Sequence, residues 1–339
     1  MLFRKSKLER RLGNEFVKTT DKAYDFYITY LLHDHKMNAR IKAPKDSVRI
    51  LLSEIIDYAG LFPPSMVSMP EAVANYARYK NSFHGWMLGR FIVPAARLDE
   101  FFDSAEDLFP KRGENMWRLS VLAGEDINAT IRSINTFNGK NAHSVVCDSL
   151  EVKANTISKI ENTVNALPEG ITTYFELGPN KNLIDLVATL AHLGQRAKIR
   201  TGGVAREDFP TSKEIIRFVR TCMTANVPFK ATAGLHHPIR CFRPLTYAPE
   251  APQGTMHGFL NMLLMTAFVR EGYRTSLMEE LMEEELDEAF TFHDDAIRWR
   301  NEHIIPVSQL ALLRQRGMIS FGSCSFDEPI ADLQSLSLL

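Results

Sequence analysis

The chain has 339 residues, of which 45% are hydrophobic and 24% are charged, so it can bury one large core or two smaller ones. Its 40 Lys and Arg residues balance 41 Asp and Glu residues, which excludes an overall basic field of the kind that attracts nucleic acid. The sequence has no apolar run long enough for a transmembrane helix and no signal-peptide pattern. We therefore expect a cytoplasmic protein that binds neither nucleic acid nor membranes.

Short apolar runs alternate with longer amphipathic segments after a polar opening. The runs lie at 53–60, 89–95, 117–124, 142–148, 172–178, 196–203, 228–234 and 319–325. The segments between them have helical spacing, and several are bounded by capping residues. Eight strand–helix repeats predict an α/β protein with a (β/α)8 TIM barrel. No glycine-rich dinucleotide fingerprint follows the first strand, which disfavours a doubly wound sheet.

Two segments depart from this repeat. Residues 1–45 are predicted to form an N-terminal helical extension, and 46–339 the barrel. A long helical insertion, about 238–317, separates the seventh strand from the eighth and includes an acidic run. Two interpretations of the insertion remain open: a lid or oligomer contact over the active end, and additional helices that cover the barrel wall.

Polar residues gather at the carboxyl ends of the predicted strands, where TIM barrels carry their active sites. Side-chain alternation places Lys198 and Arg200 on one face of the sixth strand and the apolar Ala197 and Ile199 on the other. The two cations therefore face the barrel interior. The same parity directs Glu176 of the fifth strand and Lys230 of the seventh strand inward.

Lys198 and Lys230 lie on neighbouring strands, with backbones about 5 Å apart. Clustered cations disfavour protonation of a buried amine, which would lower a lysine pKa and leave a nucleophile for a carbonyl group. The same charges could instead bind phosphate or carboxylate. In a third interpretation, Glu176 neutralises one of the lysines and the pair is structural.

These residues resemble the class I deoxyribose-phosphate aldolase family. KIRTGG (198–203) is similar to the K-x-x-T-G stretch that carries its Schiff-base lysine, and KATAG (230–234) is similar to its K-x-x-G-G stretch. The segments IDYAGLFPPSMVSMPEAVANYARY, YFELGPNKNL and FGSCS resemble its first, fifth and last strands in the same order. Each motif is common in barrels, so the order carries the resemblance.

The resemblance implies roles for particular residues. Lys198 would form the imine, and Lys230 would perturb its pKa. The donors to a substrate phosphate would be Gly202, Gly203, Gly234 and Ser323.

The sequence also departs from the family. Val146 stands where the family has an acidic proton-transfer residue, and the nearest carboxylate is Asp148. The acid or base therefore remains open among Asp148, Glu176 and Asp57. Arg200 replaces a small polar residue, and LHHP (235–238) replaces a glycine-rich continuation. We expect a substrate other than deoxyribose 5-phosphate.

Histidines and cysteines add fewer expectations. One of His236 and His237 could act as an acid or base, but adjacent residues of an extended segment point apart and do not readily bind one metal. The four cysteines have no CxxC spacing, so reduced thiols are expected. Cys324 could be a nucleophile, but no sequence spacing places a histidine beside it, so a small buried side chain is favoured.

The sequence thus predicts a class I aldolase-like lyase that cleaves a small carbonyl substrate, phosphorylated or otherwise anionic, without a metal or other cofactor. Its catalytic residues would be Lys198, Lys230, Glu176 and Asp148. Its substrate-binding residues would be Asp57, Arg200, Thr201, Gly202, Gly203, Gly234, His236 and Ser323. A metal-dependent barrel lyase or hydrolase and a non-catalytic barrel that binds an anionic metabolite are the alternatives, and homo-oligomerisation is left open.

Overall fold

A computed structural model describes residues 43–111, 115–141, 143–178 and 182–339. The chain divides into a unit of Met1–Pro44 with Leu339 and a unit of Lys45–Leu338. All the helices and strands that the structure describes lie in the second unit. The predicted helical extension over 1–45 lies almost entirely outside the described residues and stays a prediction.

Eight parallel strands close into a barrel, which confirms the predicted (β/α)8 fold. They are β1 (Ile56–Tyr58), β2 (Leu88–Pro94), β3 (Trp117–Leu122), β4 (Val145–Lys153), β5 (Thr172–Glu176), β6 (Arg196–Arg200), β7 (Phe229–Thr232) and, last in the chain, β13 (Met318–Ser323). Neighbouring strands follow this order, and β13 pairs with both β7 and β1 to close the barrel. Each of the eight predicted runs overlaps one of these strands.

Helices connect the strands and cover the barrel. They are α1 (Asp46–Leu52), α2 (Met69–Lys80), α3 (Leu98–Ala105), α4 (Ile127–Asn141), α5 (Ile157–Ala166), α6 (Leu183–His192), α7 (Ser212–Thr224), α10 (Val307–Arg316) and α11 (Asp327–Ser335). Local sequence fixes several starts: Thr211 and Glu214 form a capping box on α7, an arrangement that contributes about 1 kcal/mol. Among the helices of the described residues, none is long and apolar enough to cross a membrane.

The insertion between β7 and β13 is mixed rather than purely helical. It contains α8 (Phe259–Arg270) and α9 (Thr275–Met282), together with a hairpin of β8 (Cys241–Pro244) and β9 (Gln253–Met256). A three-stranded antiparallel sheet follows, formed by β10 (Phe290–Phe292), β11 (Ala296–Trp299) and β12 (His303–Pro306). Helix α8 is buried along nearly its whole length, and the ring of Phe259 stacks on that of Phe321 of β13. The helix therefore covers the barrel wall.

A bulge in β4 alters which of its side chains face the interior. Leu119 pairs with Cys147, whereas the next residue, Ser120, pairs with Ser149. Asp148 is thus the extra residue of the bulge. Before the bulge, Val146 occupies an inward-facing position. After it, Ser149 and every second residue that follows face inward. Strand β4 also continues to Lys153, five residues beyond the predicted end.

Candidate active site

Five charged side chains form a continuous series of ion pairs inside the barrel. Lys198 Nζ lies 2.6 Å from Glu151 Oε2 and 2.8 Å from Glu176 Oε2. Lys230 Nζ lies 2.6 Å from Glu151 Oε1 and 2.6 Å from Asp57 Oδ2. The order is therefore Asp57, Lys230, Glu151, Lys198, Glu176, in which every lysine lies between two carboxylates. We call these five residues the ion-pair chain.

The strand register produces this series. Glu176 of β5 pairs with Lys198 of β6, which in turn pairs with Lys230 of β7. Paired residues of neighbouring strands present their side chains to the same face of a sheet. The predicted inward direction of these three side chains is confirmed by their ion pairs inside the barrel.

Hydroxyl and amide groups donate further hydrogen bonds to Glu151 and Asp57. Ser120 Oγ donates to Glu151 Oε1 at 2.7 Å, and Ser320 Oγ donates to Asp57 Oδ2 at 2.7 Å. The backbone N–H of Arg90 donates to Asp57 Oδ1 at 2.8 Å. Buried charges persist only when they are paired and hydrogen-bonded in this way, so the ion-pair chain holds its members in fixed positions.

The pairing also fixes ionisation. Burial alone would raise the pKa of Glu151, but the ammonium groups of Lys198 and Lys230 hold it well below its ordinary value. Burial likewise favours a higher pKa for Asp57, yet Lys230 and Arg90 lower it overall. Burial would lower the pKa of Lys230, but Asp57 and Glu151 raise it above its usual range. The prediction that clustered cations depress a lysine pKa is therefore wrong for Lys230, because carboxylates separate the two cations.

A cavity of about 720 Å³ opens at the carboxyl ends of the strands, and Lys198, Glu151 and Glu176 lie in its lining. Lys230 is only 1% exposed and does not line this cavity. Lys198 is therefore the lysine of the ion-pair chain that a molecule in the cavity can reach. Its ammonium is held by two carboxylates at the wall of a pocket large enough for a small metabolite.

A basic rim surrounds part of this cavity. Arg200, Lys153 and Lys159 line it, and together with Arg217 they also line a neighbouring cavity of about 540 Å³. Half of the Arg200 side chain is exposed, and its Nε lies 3.7 Å from Glu176 Oε1. Because all three cations lie within reach of one pocket, they can bind the anionic end of a substrate whose carbonyl group approaches Lys198.

Asp148 does not join the cavity. Its carboxylate accepts two hydrogen bonds from the Arg90 guanidinium, at 2.6 and 2.7 Å. The bulge at Asp148 gives the inward position nearest the lysines to Glu151 instead. The prediction of Asp148 as a proton-transfer residue beside the lysine thus failed in its geometry, since that prediction assumed an unbroken strand.

Other predicted binding residues have their donors engaged within the protein. Thr201 is fully buried, and its Oγ1 donates to the carbonyl oxygen of Ala233 at 2.6 Å. Ser323 Oγ donates to the carbonyl oxygen of Ser325 at 2.7 Å. Asp57 lies behind Glu151 in the ion-pair chain. Their contribution to the site is structural support.

The glycine-rich loop after β6 presents a carboxylate. Asp208 Oδ2 accepts from the backbone N–H groups of Val204 and Ala205 at 3.0 and 3.1 Å, and Asp208 lines the cavity. These are the kind of loop amides that would otherwise bind an anion. The phosphate site predicted at Gly202, Gly203 and Gly234 is therefore disfavoured by a negative charge already in place.

Those glycines have a steric role. A Cβ on Gly202 would lie 2.8 Å from Gly234 Cα and 2.5 Å from the Phe209 ring, and Gly234 has φ of 76°. The loops after β6 and β7 can cross closely only without side chains at these positions. Gly203, Gly234 and His236 do line the cavity.

Two features of the site escaped the sequence analysis. Glu151 lies in the strand VVCDSLEVK. Because of the bulge, simple side-chain alternation along this strand does not direct Glu151 inward. Cys324 Sγ lies 4.0 Å from His236 Nδ1; the two residues are far apart in sequence, and only the closed barrel brings them together.

Comparisons with known proteins add no assignment. No protein-family model matches the chain, and no curated protein gives a significant match. Within the described ranges, no three His, Cys, Asp or Glu side chains are grouped as a metal site would require.

Proposed function

We propose that this protein is a class I aldolase-like lyase that forms a Schiff base through Lys198. The observation that carries the proposal is the position of Lys198 Nζ: it lies at the wall of the barrel cavity, 2.6 and 2.8 Å from two carboxylates. An amine nucleophile, acid–base groups and a pocket for a small carbonyl compound are thereby within contact of one another.

The charge balance suits an imine. A lysine ammonium and a protonated imine each carry one positive charge, so the field of Glu151 and Glu176 that stabilises the first also stabilises the second. The protonated imine is the electron sink for carbon–carbon cleavage. Fixed carboxylates in a site shielded from water stabilise that charge without reorganisation during the reaction.

Glu176 is the proposed acid and base. It lines the cavity and contacts Lys198 at 2.8 Å, whereas Glu151 is held by both lysines and by Ser120. The ammonium of Lys198 transfers one proton to Glu176, and the free amine then attacks the carbonyl carbon of the substrate. Glu176 then gives its proton to the departing hydroxyl group, and the loss of water leaves the protonated imine and an ionised Glu176.

Cleavage follows with the same groups. Glu176, again ionised, removes the proton of the hydroxyl group at the carbon to be released. The electron pair of the carbon–carbon bond moves into the imine and gives an enamine and a free aldehyde. Glu176 then returns its proton to the enamine carbon, and water hydrolyses the resulting imine. The order of events conserves protons and needs no external oxidant or reductant.

Lys230 acts as a positioning residue in this proposal. Its Nζ lies 2.6 Å from Glu151 Oε1, and it keeps that carboxylate ionised and directed at Lys198. The basic rim of Arg200, Lys153 and Lys159 favours substrates with a phosphate or carboxylate group. Phosphate binding by this rim replaces the binding by loop amides that the resemblance implied.

Turnover with matched variants tests the proposal. A panel of small β-hydroxy aldehydes and ketones, with and without phosphate groups, is offered to wild type, Lys198→Met and Lys213→Met. Lys213 is the control because its side chain on α7 is 77% exposed. We expect wild type and Lys213→Met to release aldehyde and Lys198→Met to release none; release by Lys198→Met would exclude the imine mechanism.

A barrel that binds an anionic metabolite without catalysis is the second candidate. The basic rim favours it, since three cations beside one pocket suffice for affinity. Lys198 and Lys230 would not serve as clamps there, because carboxylates already hold them. This candidate predicts a rise in Tm with phosphorylated compounds, unchanged in Lys198→Met, and no turnover.

A further inference from the structure

A second group of reactive side chains lies around Cys324, just after β13. Its Sγ is 4.0 Å from His236 Nδ1 and 3.7 Å from the Tyr247 hydroxyl oxygen. Glu328 Oε2 is 3.1 Å from His236 Nδ1 and accepts from the Tyr247 hydroxyl at 2.7 Å. A thiol, an imidazole, a phenol and a carboxylate are thus linked by contacts; we call these four residues the thiol cluster.

The thiol cluster opens to the cavity that contains Lys198. Cys324 and His236 both line that cavity, although they are only 5% and 7% exposed. The sulfur is therefore shielded from bulk solvent but accessible to a small molecule within the pocket. The thiols of Cys147 and Cys222 are buried, and neither residue lines this cavity.

Electrostatics distinguish Cys324 from the other cysteines. Burial alone would raise the pKa of its thiol, but the hydrogen bond and charge of His236, with contacts from Ser65 and Tyr247, lower it. Burial alone would lower the pKa of His236, yet Cys324 and Glu328 raise it to about 10. Both shifts favour a thiolate–imidazolium pair over a neutral thiol and a neutral imidazole.

The other titratable groups around the sulfur do not oppose this state. Tyr58 and Tyr247 face it with pKa values raised chiefly by burial, so both are neutral phenols. Burial would raise the pKa of Glu328, but His236 and Tyr247 lower it, so this carboxylate is ionised. Glu328 Oε2 contacts Nδ1, the same His236 nitrogen that lies nearest the sulfur, so the carboxylate and the sulfur both stabilise positive charge on this imidazole.

We propose that Cys324 is a second nucleophile of the barrel cavity, which adds reversibly to aldehyde carbonyl groups with His236 as proton donor. The sulfur forms a bond to the carbonyl carbon, and the π electron pair moves to oxygen. That oxygen takes the proton from His236 Nδ1, which leaves a neutral imidazole protonated at Nε2 and a thiohemiacetal. The reverse steps release the aldehyde.

The choice of an aldehyde rests on the proposed function, because the cleavage step releases one into this cavity. The reactivity of the thiolate does not depend on an imine at Lys198. In the aldolase, the thiol cluster would hold the aldehyde product and, in the synthetic direction, present it to the enamine.

Alkylation rates test the thiolate first. Iodoacetamide is applied to the wild-type protein from pH 5.5 to 10, and the rate at each cysteine is followed by peptide mass spectrometry. The internal control is Cys241, which is more exposed but whose pKa is raised by burial to about 11. We expect Cys324 to react at least tenfold faster than Cys241 at pH 7, with a rate nearly constant from pH 7 to 9. A Cys324 rate that climbs through pH 8 to 10 like an ordinary thiol, or no labelling, would overturn the proposal.

Neighbouring histidines supply matched variants. His236→Asn should slow alkylation of Cys324 at least tenfold at pH 7, and the difference should disappear near pH 10. His237→Asn should leave the rate within twofold, because His237 Nδ1 contacts Asp332 at 2.6 Å. Equal rates in all three proteins would contradict the role of His236. If His236→Asn does not fold, the wild-type pH profile alone decides.

Protection by propanal then tests the aldehyde step. We expect millimolar propanal to slow alkylation of Cys324 at least twofold in both wild type and Lys198→Met, and to do so reversibly on dilution. Protection in wild type alone would assign the effect to Lys198 and overturn the proposal, as would no protection in either protein. Protection in both, without any adduct on Lys198, would leave this proposal standing and remove the proposed aldolase mechanism.

Discussion

Replacing Glu151 with glutamine removes the carboxylate that Lys198 and Lys230 share. Both of its oxygens lie 2.6 Å from an ammonium group, and glutamine retains an acceptor for Ser120. Loss of one partner from a buried ion pair costs about 3–5 kcal/mol. Each lysine keeps one other carboxylate, Asp57 or Glu176, so we expect Glu151→Gln to lose about 3 kcal/mol of unfolding free energy at pH 7.

The sign of the pH dependence follows from the pKa of Glu151. Burial would raise it, but Lys198 and Lys230 lower it below the ordinary 4.5. A carboxyl whose pKa is lower in the folded state than in the unfolded state stabilises fully above pH 4.5, and this stabilisation is lost as pH falls below that value. The difference between wild type and Glu151→Gln should therefore be constant from pH 6 to 8 and shrink below pH 4.5.

Urea denaturation of both proteins between pH 3 and 8 measures this difference. The control is Glu54→Gln, which breaks the ion pair between Glu54 and Arg118. The Glu54 side chain is 54% exposed, and exposed pairs of this kind contribute about 0–1 kcal/mol. A Glu151→Gln protein within 1 kcal/mol of wild type at pH 7, or a difference independent of pH, would refute the ion-pair chain as described.

Three further variants separate the roles within the site. Glu176→Gln should lower kcat by about 10²–10⁴-fold in steady-state assays while borohydride still traps an adduct on Lys198; unchanged kcat would remove Glu176 as acid and base. Asp148→Asn should destabilise the fold in urea but keep kcat/KM within about threefold, since Asp148 binds Arg90; a hundredfold loss would return proton transfer to Asp148. The double variant Lys153→Ala with Arg200→Ala should raise KM at least tenfold for phosphorylated substrates and leave neutral ones unchanged; equal effects on both would contradict the basic rim.

Sequence periodicity was sufficient for the barrel because its strands are short and amphipathic helices separate most of them. It also placed Lys198, Lys230 and Glu176 correctly, since β5, β6 and β7 are regular and their parity continues to the strand ends. Regular pairing is the condition under which alternation predicts side-chain direction.

The rest of the site depends on irregular or long-range geometry. One bulge at Asp148 exchanges the inward positions of β4, so side-chain alternation directed Asp148 into the barrel and missed Glu151. The carboxylate of Asp208 turns back onto loop amides that had been expected to bind phosphate. The contact of Cys324 with His236 joins the segments that follow β13 and β7, and no local pattern encodes it.

The most direct test of the central claim is capture of the imine on Lys198. Wild type, Lys198→Met and Lys213→Met are incubated with the panel of carbonyl compounds and sodium borohydride, and the modified residues are located by peptide mass spectrometry. The account predicts a reduced adduct on Lys198 in wild type and Lys213→Met, absent from Lys198→Met, with Lys230 unlabelled behind Glu151. Labelling of Lys230 in preference to Lys198, or labelling only of exposed lysines at background level with every compound, would contradict it.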